Sequence, residues 1–198
     1  VVWKDSSSVA TTSLDHEIVV WDVAEQRPVE RLNGHSRGVS DLCFLSGHDV
    51  WVSSGLDQNL RVWNSESGTV IRTLNNHKNE IHEISLRPAV SGLPMVASVS
   101  NDRTVRLWQP TIGRMVRFAQ LNATPLAVTW LTDGSLIAVA TTDGDVRLID
   151  PDTVEVLETI PAVRGWAYSL AVHPSDNSLL VGGRNGQLKR IIPDTSKR

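Results

Sequence analysis

One cysteine, Cys43, stands in a chain of 198 residues. That excludes an intrachain disulfide and any CxxC metal site. Cys43 lies in the apolar run Leu42-Cys43-Phe44-Leu45, where a small buried hydrophobe is expected rather than a reactive thiol. No stretch approaches the roughly 18 apolar residues of a membrane-spanning helix, so no membrane partner is expected. The opening residues, VVWKD, show no charged-then-apolar leader and no initiator Met. The expectation is a chain cut from something longer, with a cytoplasmic setting as the default. A net charge of −3 lacks the basic excess that phosphate-backbone binding needs, and no nucleic-acid partner is expected. No Gly-rich phosphate loop precedes a helix: Gly182-Gly183-Arg184-Asn185-Gly186 lies between strands, which removes the dinucleotide reading. Asp143-Gly144-Asp145 lacks the further oxygen ligands of a calcium loop. No cofactor or metal is expected.

What the chain has is repetition. SLDHEIVVWD, SGLDQNLRVWN, SVSNDRTVRLWQ, TTDGDVRLID and GGRNGQLKRI share one pattern, anchored on Asp15, Asp57, Asp102, Asp143 and Asn185. A strand-built repeat of roughly 40–45 residues is the signature of a propeller blade. The repeats fall approximately at residues 1–33, 34–75, 76–121, 122–161 and 162–198. Each reads as four short strands separated by polar turns, and no 12-residue window keeps a helical period, so the chain is all-β. In the second copy the strands are 39–45, 50–52, 59–63 and 69–74, with Gly47-His48-Asp49 as a turn. Asp143-Gly144 and Asn185-Gly186 are hairpin-turn dipeptides.

Aligned on the anchors, first strands place Trp3, Phe44, Leu86, Trp130 and Val172 in one column. Second strands align Val9, Trp51, Val96, Ile137 and Leu179. Third strands align Ile18, Leu60, Val105, Val146 and Leu188, and the first three copies end on Trp21, Trp63 and Trp108. Six of the seven tryptophans occupy columns and are expected in the core. The basic column Arg61, Arg106, Arg147 and Lys189 is expected to be structural, and the tail residues Lys189-Arg190 and Lys197-Arg198 solvated.

Gly34-His35 opening the second copy, Val62-Trp63-Asn64 closing it and the Trp21-Asp22 pair resemble the WD40 repeat family. The resemblance covers essentially the whole chain and implies a β-propeller of four-stranded antiparallel blades. It also implies a hydrogen-bonded tetrad in each complete repeat: Trp63, Ser53, His35 and Asp57, then Trp108, Ser98, His77 and Asp102. The first copy offers Trp21, Thr11 and Asp15, the fourth only Asp143, and the fifth Val181, Asn185 and Ile191. Ser53, His35 and Asp57 are also the residue types of a hydrolase triad. Recurrence in the next repeat favours a structural staple, and no catalytic residue is assigned.

The family's usual ring has seven blades, whereas this chain offers five sets of inner strands and four outer strands, at 28–33, 69–74, 115–121 and 154–160. The expectation is an incomplete ring: a piece of a larger propeller, or an arc that closes by dimerisation, ahead of a closed five-blade ring. Open blade edges favour self-association.

The resemblance places partners on the face built by outer-to-first-strand loops and second-to-third-strand turns. That face collects Ser36, Arg37, Lys78, Asn79, Glu80, residues 122–124, Arg164, Gly165 and Trp166, and the turns add His16, Gln58, Arg103, Thr142 and Arg184. Trp166, outside the columns and beside Arg164 and Tyr168, is hot-spot chemistry; the competing expectation is local packing over the channel end. The expected function is a non-catalytic scaffold that presents these loops to a protein partner or to other domains of its parent chain. The alternatives are a propeller enzyme with a site at the channel mouth, for which Glu80, His82 and Glu83 form a weak cluster, or a regulatory or sensory domain of a larger bacterial-type enzyme.

Overall fold

The computed structural model describes residues 1–88 and 92–194; the tail Lys197-Arg198 lies outside them. Among the described residues nineteen strands form five sheets, each hydrogen-bonded in chain order with antiparallel neighbours. Blade 1 holds β1 (Val2–Trp3), β2 (Ser8–Thr12), β3 (Ile18–Asp22) and β4 (Arg27–Leu32). Blade 2 holds β5 (Val39–Leu45), β6 (Val50–Gly55), β7 (Leu60–Asn64) and β8 (Val70–Leu74). In blade 3 they are β9 (Ile81–Leu86), β10 (Val96–Ser100), β11 (Thr104–Gln109) and β12 (Arg114–Gln120). Blade 4 holds β13 (Pro125–Trp130), β14 (Ile137–Thr141), β15 (Asp145–Ile149) and β16 (Val156–Pro161). Blade 5 has three strands among the described residues, β17 (Ala167–Val172), β18 (Leu179–Gly183) and β19 (Leu188–Ile191).

The columns are cross-strand neighbours. Phe44 faces Trp51, which faces Trp63. Trp130, Ile137 and Ile149 line up in the same way, as do Val172, Leu179 and Ile191. Each set seals the seam to the preceding blade. Trp51 and Trp63 pack on Ile18, Val20 and Leu32 of blade 1, and Trp108 and Val96 pack on Val52, Val62 and Leu74 of blade 2. Full burial of such side chains stabilises by roughly 1.5–3 kcal/mol each. Because inner strands are covered on both faces, they read as continuous apolar runs. Cys43 packs into the seam between blades 2 and 3, and burial, with Asp41 beside it, pushes its thiol up, away from thiolate chemistry.

Two column residues depart from the expected burial. Trp3 is 59% exposed and Leu188 is 72% exposed, because each sits on a blade face that no described blade covers. Among the described residues no strand of blade 5 pairs with a strand of blade 1, so hydrogen bonds do not close the ring.

The anchors recur because they build the turn between second and third strands. The residue after each anchor has positive φ: His16 (79°), Gln58 (70°), Arg103 (62°), Gly144 (88°) and Gly186 (72°). In four blades the anchor carboxylate accepts the backbone N–H two residues on, from Glu17, Asn59, Thr104 and Asp145. A short acceptor side chain that closes its own turn is what Asp supplies. Strands β5, β9, β13 and β17 each carry a bulge near their start. It leaves Ser40, His82, Leu126 and Tyr168 as the extra residue, and bulges re-aim side chains.

Candidate interaction face and the buried tetrads

In blade 2 the Trp63 indole N–H donates to Ser53 Oγ at 2.8 Å, and His35 contacts Ser53 Oγ through Nε2 (2.7 Å) and Asp57 through Nδ1 (2.9 Å). The tautomer that satisfies both contacts carries hydrogen on Nδ1 and takes the Ser53 hydroxyl hydrogen on Nε2. Asp57 also accepts the Ser36 backbone N–H and the Arg61 guanidinium. Blade 3 repeats the set: Trp108 to Ser98 at 2.8 Å, Ser98 to His77 at 2.7 Å and His77 to Asp102 at 2.8 Å. Burial pushes the Asp57 and Asp102 carboxyls up, but bonds from histidine and backbone outweigh it and hold both well below the usual range. Burial, with the Arg106 charge, lowers His77 against the opposing pull of Asp102.

Ser53 and Ser98 are fully buried and already accept an indole N–H, so neither hydroxyl can reach a substrate carbonyl. The arrangement ties turn, strand and loop together. Blade 1 has the shorter link, Trp21 to Thr11 at 2.9 Å, and Asp15 is exposed. Blade 4 keeps more than its anchor: Thr141 and Arg147 both donate to Asp143, and the Arg147 bond leads in holding that carboxyl at about 2. Arg61, Arg106 and Arg147 each pair with the anchor four residues before, whereas Lys189 donates to the Pro161 carbonyl.

Antiparallel order puts the outer-to-first-strand loops and the second-to-third-strand turns at one end of every blade. The Trp166 loop is tied down there from two sides. Ala162 and Val163 donate their N–H groups to the Gly144 carbonyl. Gln187 accepts from Arg164 N and donates to the Arg164 and Arg184 carbonyls, and Arg184 N bonds the Trp166 carbonyl. Trp166 stands 47% exposed and Tyr168 51% exposed, tilted on each other with centroids 5.7 Å apart. Trp166 forms one wall of an open recess of about 470 Å³ shared with His82, Asn101, Thr124, Leu126 and Thr142. A smaller recess of about 210 Å³ opens between blades 2 and 3, against residues 45–48 and 92–95.

The other expected contact residues divide. Arg37 is held by Glu80 at 3.0 Å and by the Leu56 carbonyl. Lys78, Arg103, Arg164 and Arg184 are exposed. The cluster Glu80, His82 and Glu83 is absorbed in structural bonds: Glu80 meets Arg37 and accepts from Asn101, His82 bonds the same Asn101, and Glu83 accepts the Val128 backbone N–H at 2.7 Å. Sequence reasoning missed Gln187 as the residue that fixes the Trp166 loop, and Leu126 and Asn101 as walls. Leu126 had a readable signal, since it shares the bulge column with Ser40, His82 and Tyr168.

Blades arranged radially in chain order, with their inner strands about one axis, define a β-propeller architecture. The profile described as WD domain, G-beta repeat, matches residues 26–64 and 68–109, which identifies WD40 repeats over that part of the chain. It is 26% identical over 197 residues to the p21-activated protein kinase-interacting protein 1-like of Danio rerio, covering 100% of this chain and 51% of that one. It is 23% identical over 181 residues to Autophagy-related protein 16 of Arabidopsis thaliana, covering 91% and 35%. The chain thus spans about half or less of these relatives. Among solved structures, the β-propeller domain of Myceliophteria thermophila Cps50 (Swd1) superposes with TM-score 0.83 at 18% identity, covering 97% of this chain and 64% of that one. The WD40 propeller domain of Doa1 gives 0.81 at 19%, covering 98% and 63%.

Proposed function

We propose that this chain is a non-catalytic interaction platform whose working face is the end that carries the Trp166 loop. The observation that carries the reading is the half-exposed Trp166 and Tyr168 pair, held rigidly at the rim of an open recess. Large aromatics fixed in a binding-ready position lose little freedom on association. The relatives fit: one is named for interacting with a kinase. The occupant is a protein partner or another domain of the parent chain. No observation favours an enzyme at the channel mouth, because the acidic and histidine side chains there are held in structural bonds, Glu80 and His82 to Asn101 and Glu83 to the Val128 backbone.

A photo-crosslinking amino acid at position 166 of the protein expressed in its own cells tests this, with the same residue at Phe118, on the outer strand β12, as control. Adducts from 166 with discrete partners, absent from 118, are the expected outcome. Adducts from 118 and none from 166 would move the working surface off this face.

A further inference from the structure

The charge around the recess says what kind of partner fits. On this face the anchor carboxylates of blades 2 to 4 and Glu80 are already engaged. Asp57, Asp102 and Asp143 pair with Arg61, Arg106 and Arg147, and Glu80 pairs with Arg37. What remains over blades 3 to 5 is Lys78, Arg103, Arg164 and Arg184, four exposed cations with no ion pair among the described residues. They sit in a chain of net charge −3, so the positive character is local to the face. Two of them, Arg164 and Arg184, flank Trp166 through the Gln187 clamp. Arg103 holds the positive-φ position of its turn (62°), where glycine is the residue of least backbone cost; an arginine there presents its guanidinium outward.

Resting on the platform reading above, we infer that the recess beside Trp166 binds an acidic peptide segment carrying one large apolar side chain. The apolar residue enters between Leu126 and Trp166, and Asp or Glu residues on either side meet Arg164 and Arg184 on one flank and Lys78 and Arg103 on the other. Such complementarity raises the association rate and selects against basic partners. A peptide is favoured over a nucleic acid on two grounds. Trp166 and Tyr168 lean on each other at 58° and offer no pair of parallel platforms for successive bases. The cations stand on separate loops and turns next to the residues that line the recess, Arg103 near Asn101 and Arg164 and Arg184 beside Trp166, and not in a row along which a backbone could track.

The test is selection of random 12-residue peptides displayed on phage against the purified protein, followed by titration of the enriched peptides as synthetic labelled chains. Sequences rich in Asp and Glu around one Trp, Phe or Leu are expected. Arg164→Glu with Arg184→Glu should weaken them at least tenfold, as should Trp166→Ala. Replacing Asp and Glu in the peptide by Asn and Gln should weaken binding to a similar extent, and affinity should fall with added salt. These surface substitutions leave the buried seams intact, which a urea titration of each variant verifies. Neutral or basic enriched peptides that still lose binding in Trp166→Ala would overturn the acidic assignment and leave the platform standing. Peptides indifferent to Trp166→Ala would overturn both. A 15-residue oligouridylate that displaces the acidic peptides at lower concentration than they displace each other would reassign the face to nucleic acid.

Discussion

Asp41 of blade 2 reaches across the seam into blade 3, where its Oδ2 accepts the backbone N–H of Ile84 at 3.0 Å. Glu83 repeats the reach one blade on, accepting Val128 N–H at 2.7 Å. Carboxylates at equivalent positions of neighbouring inner strands therefore staple successive blades near the axis. In blade 4 the equivalent position is Ala127, which has no oxygen to offer blade 5.

The staples carry a pH signature. Burial pushes the Glu83 carboxyl from the usual 4.5 up to about 7, the Asp41 charge adds to the rise, and the Val128 bond opposes it. Between those values the folded chain holds a proton that the unfolded chain has released. The contribution is fully present below about pH 4.5 and is lost as pH rises through 7. His77, lowered by burial, has the opposite sign and loses its contribution as pH falls through its range. Glu83→Gln separates the two, since its amide oxygen can accept Val128 N–H without charge. The variant should match the parent near pH 5 and exceed it by on the order of 1–2 kcal/mol at pH 8 in urea titrations. An equal difference at both pH values would rule the staple out as the titrating group.

The tetrads make a graded prediction. Asp57→Ala leaves the buried His35 Nδ1–H unpaired and should cost about 1–3 kcal/mol. Trp63→Ala removes a fully buried indole and should cost about 3–5 kcal/mol through the cavity left behind. Asp15→Ala, at the same repeat position but exposed, should leave the urea midpoint where it is. If Asp57→Ala proved as silent as Asp15→Ala, the network would not be a staple.

Gly144 and Gly186 occupy the same turn position and should respond differently to a methyl group. Both have positive φ, 88° and 72°, so alanine costs roughly 1 kcal/mol at either. At Gly144 the new Cβ would also overlap the Val163 and Gly165 carbonyl oxygens, whereas at Gly186 nothing lies within 4 Å. Gly144→Ala should therefore displace residues 163–166 and impair any binding that depends on Trp166. Gly186→Ala should only lower stability slightly. Comparing amide spectra of the two variants decides it.

The repeat was legible because anchor, turn and column recur for one reason, a blade that must present the same faces to two neighbours. Column arithmetic even placed cross-strand partners, as with Phe44, Trp51 and Trp63. Exposure of Trp3 and Leu188 was not legible from their columns, since a column states which face a residue is on and not whether anything covers it. The clamp at Gln187 was hidden for another reason. A single glutamine in a turn has no period, and its role rests on carbonyls brought close by the blade 4 and blade 5 packing. Blade 4's Thr141–Asp143–Arg147 link was masked by Val139 and Ile149 standing where the tetrad hydroxyl and indole would be.

The uncovered faces lead to a last expectation about the 198-residue chain by itself. Trp3 lies on the open side of blade 1, and Leu188 and Tyr168 are exposed on blade 5, whose last described strand β19 has one unpaired edge. Exposed apolar side chains beside an unpaired strand edge are a template for pairing with another copy. Light scattering over a concentration series should show mass rising above that of one chain. Trp3→Lys combined with Leu188→Lys should return it toward the monomer, because a charge on each face must then be desolvated for the contact to form. A mass equal to one chain at every concentration would mean that these faces are too irregular to pair, and partner binding could then be measured on this chain directly.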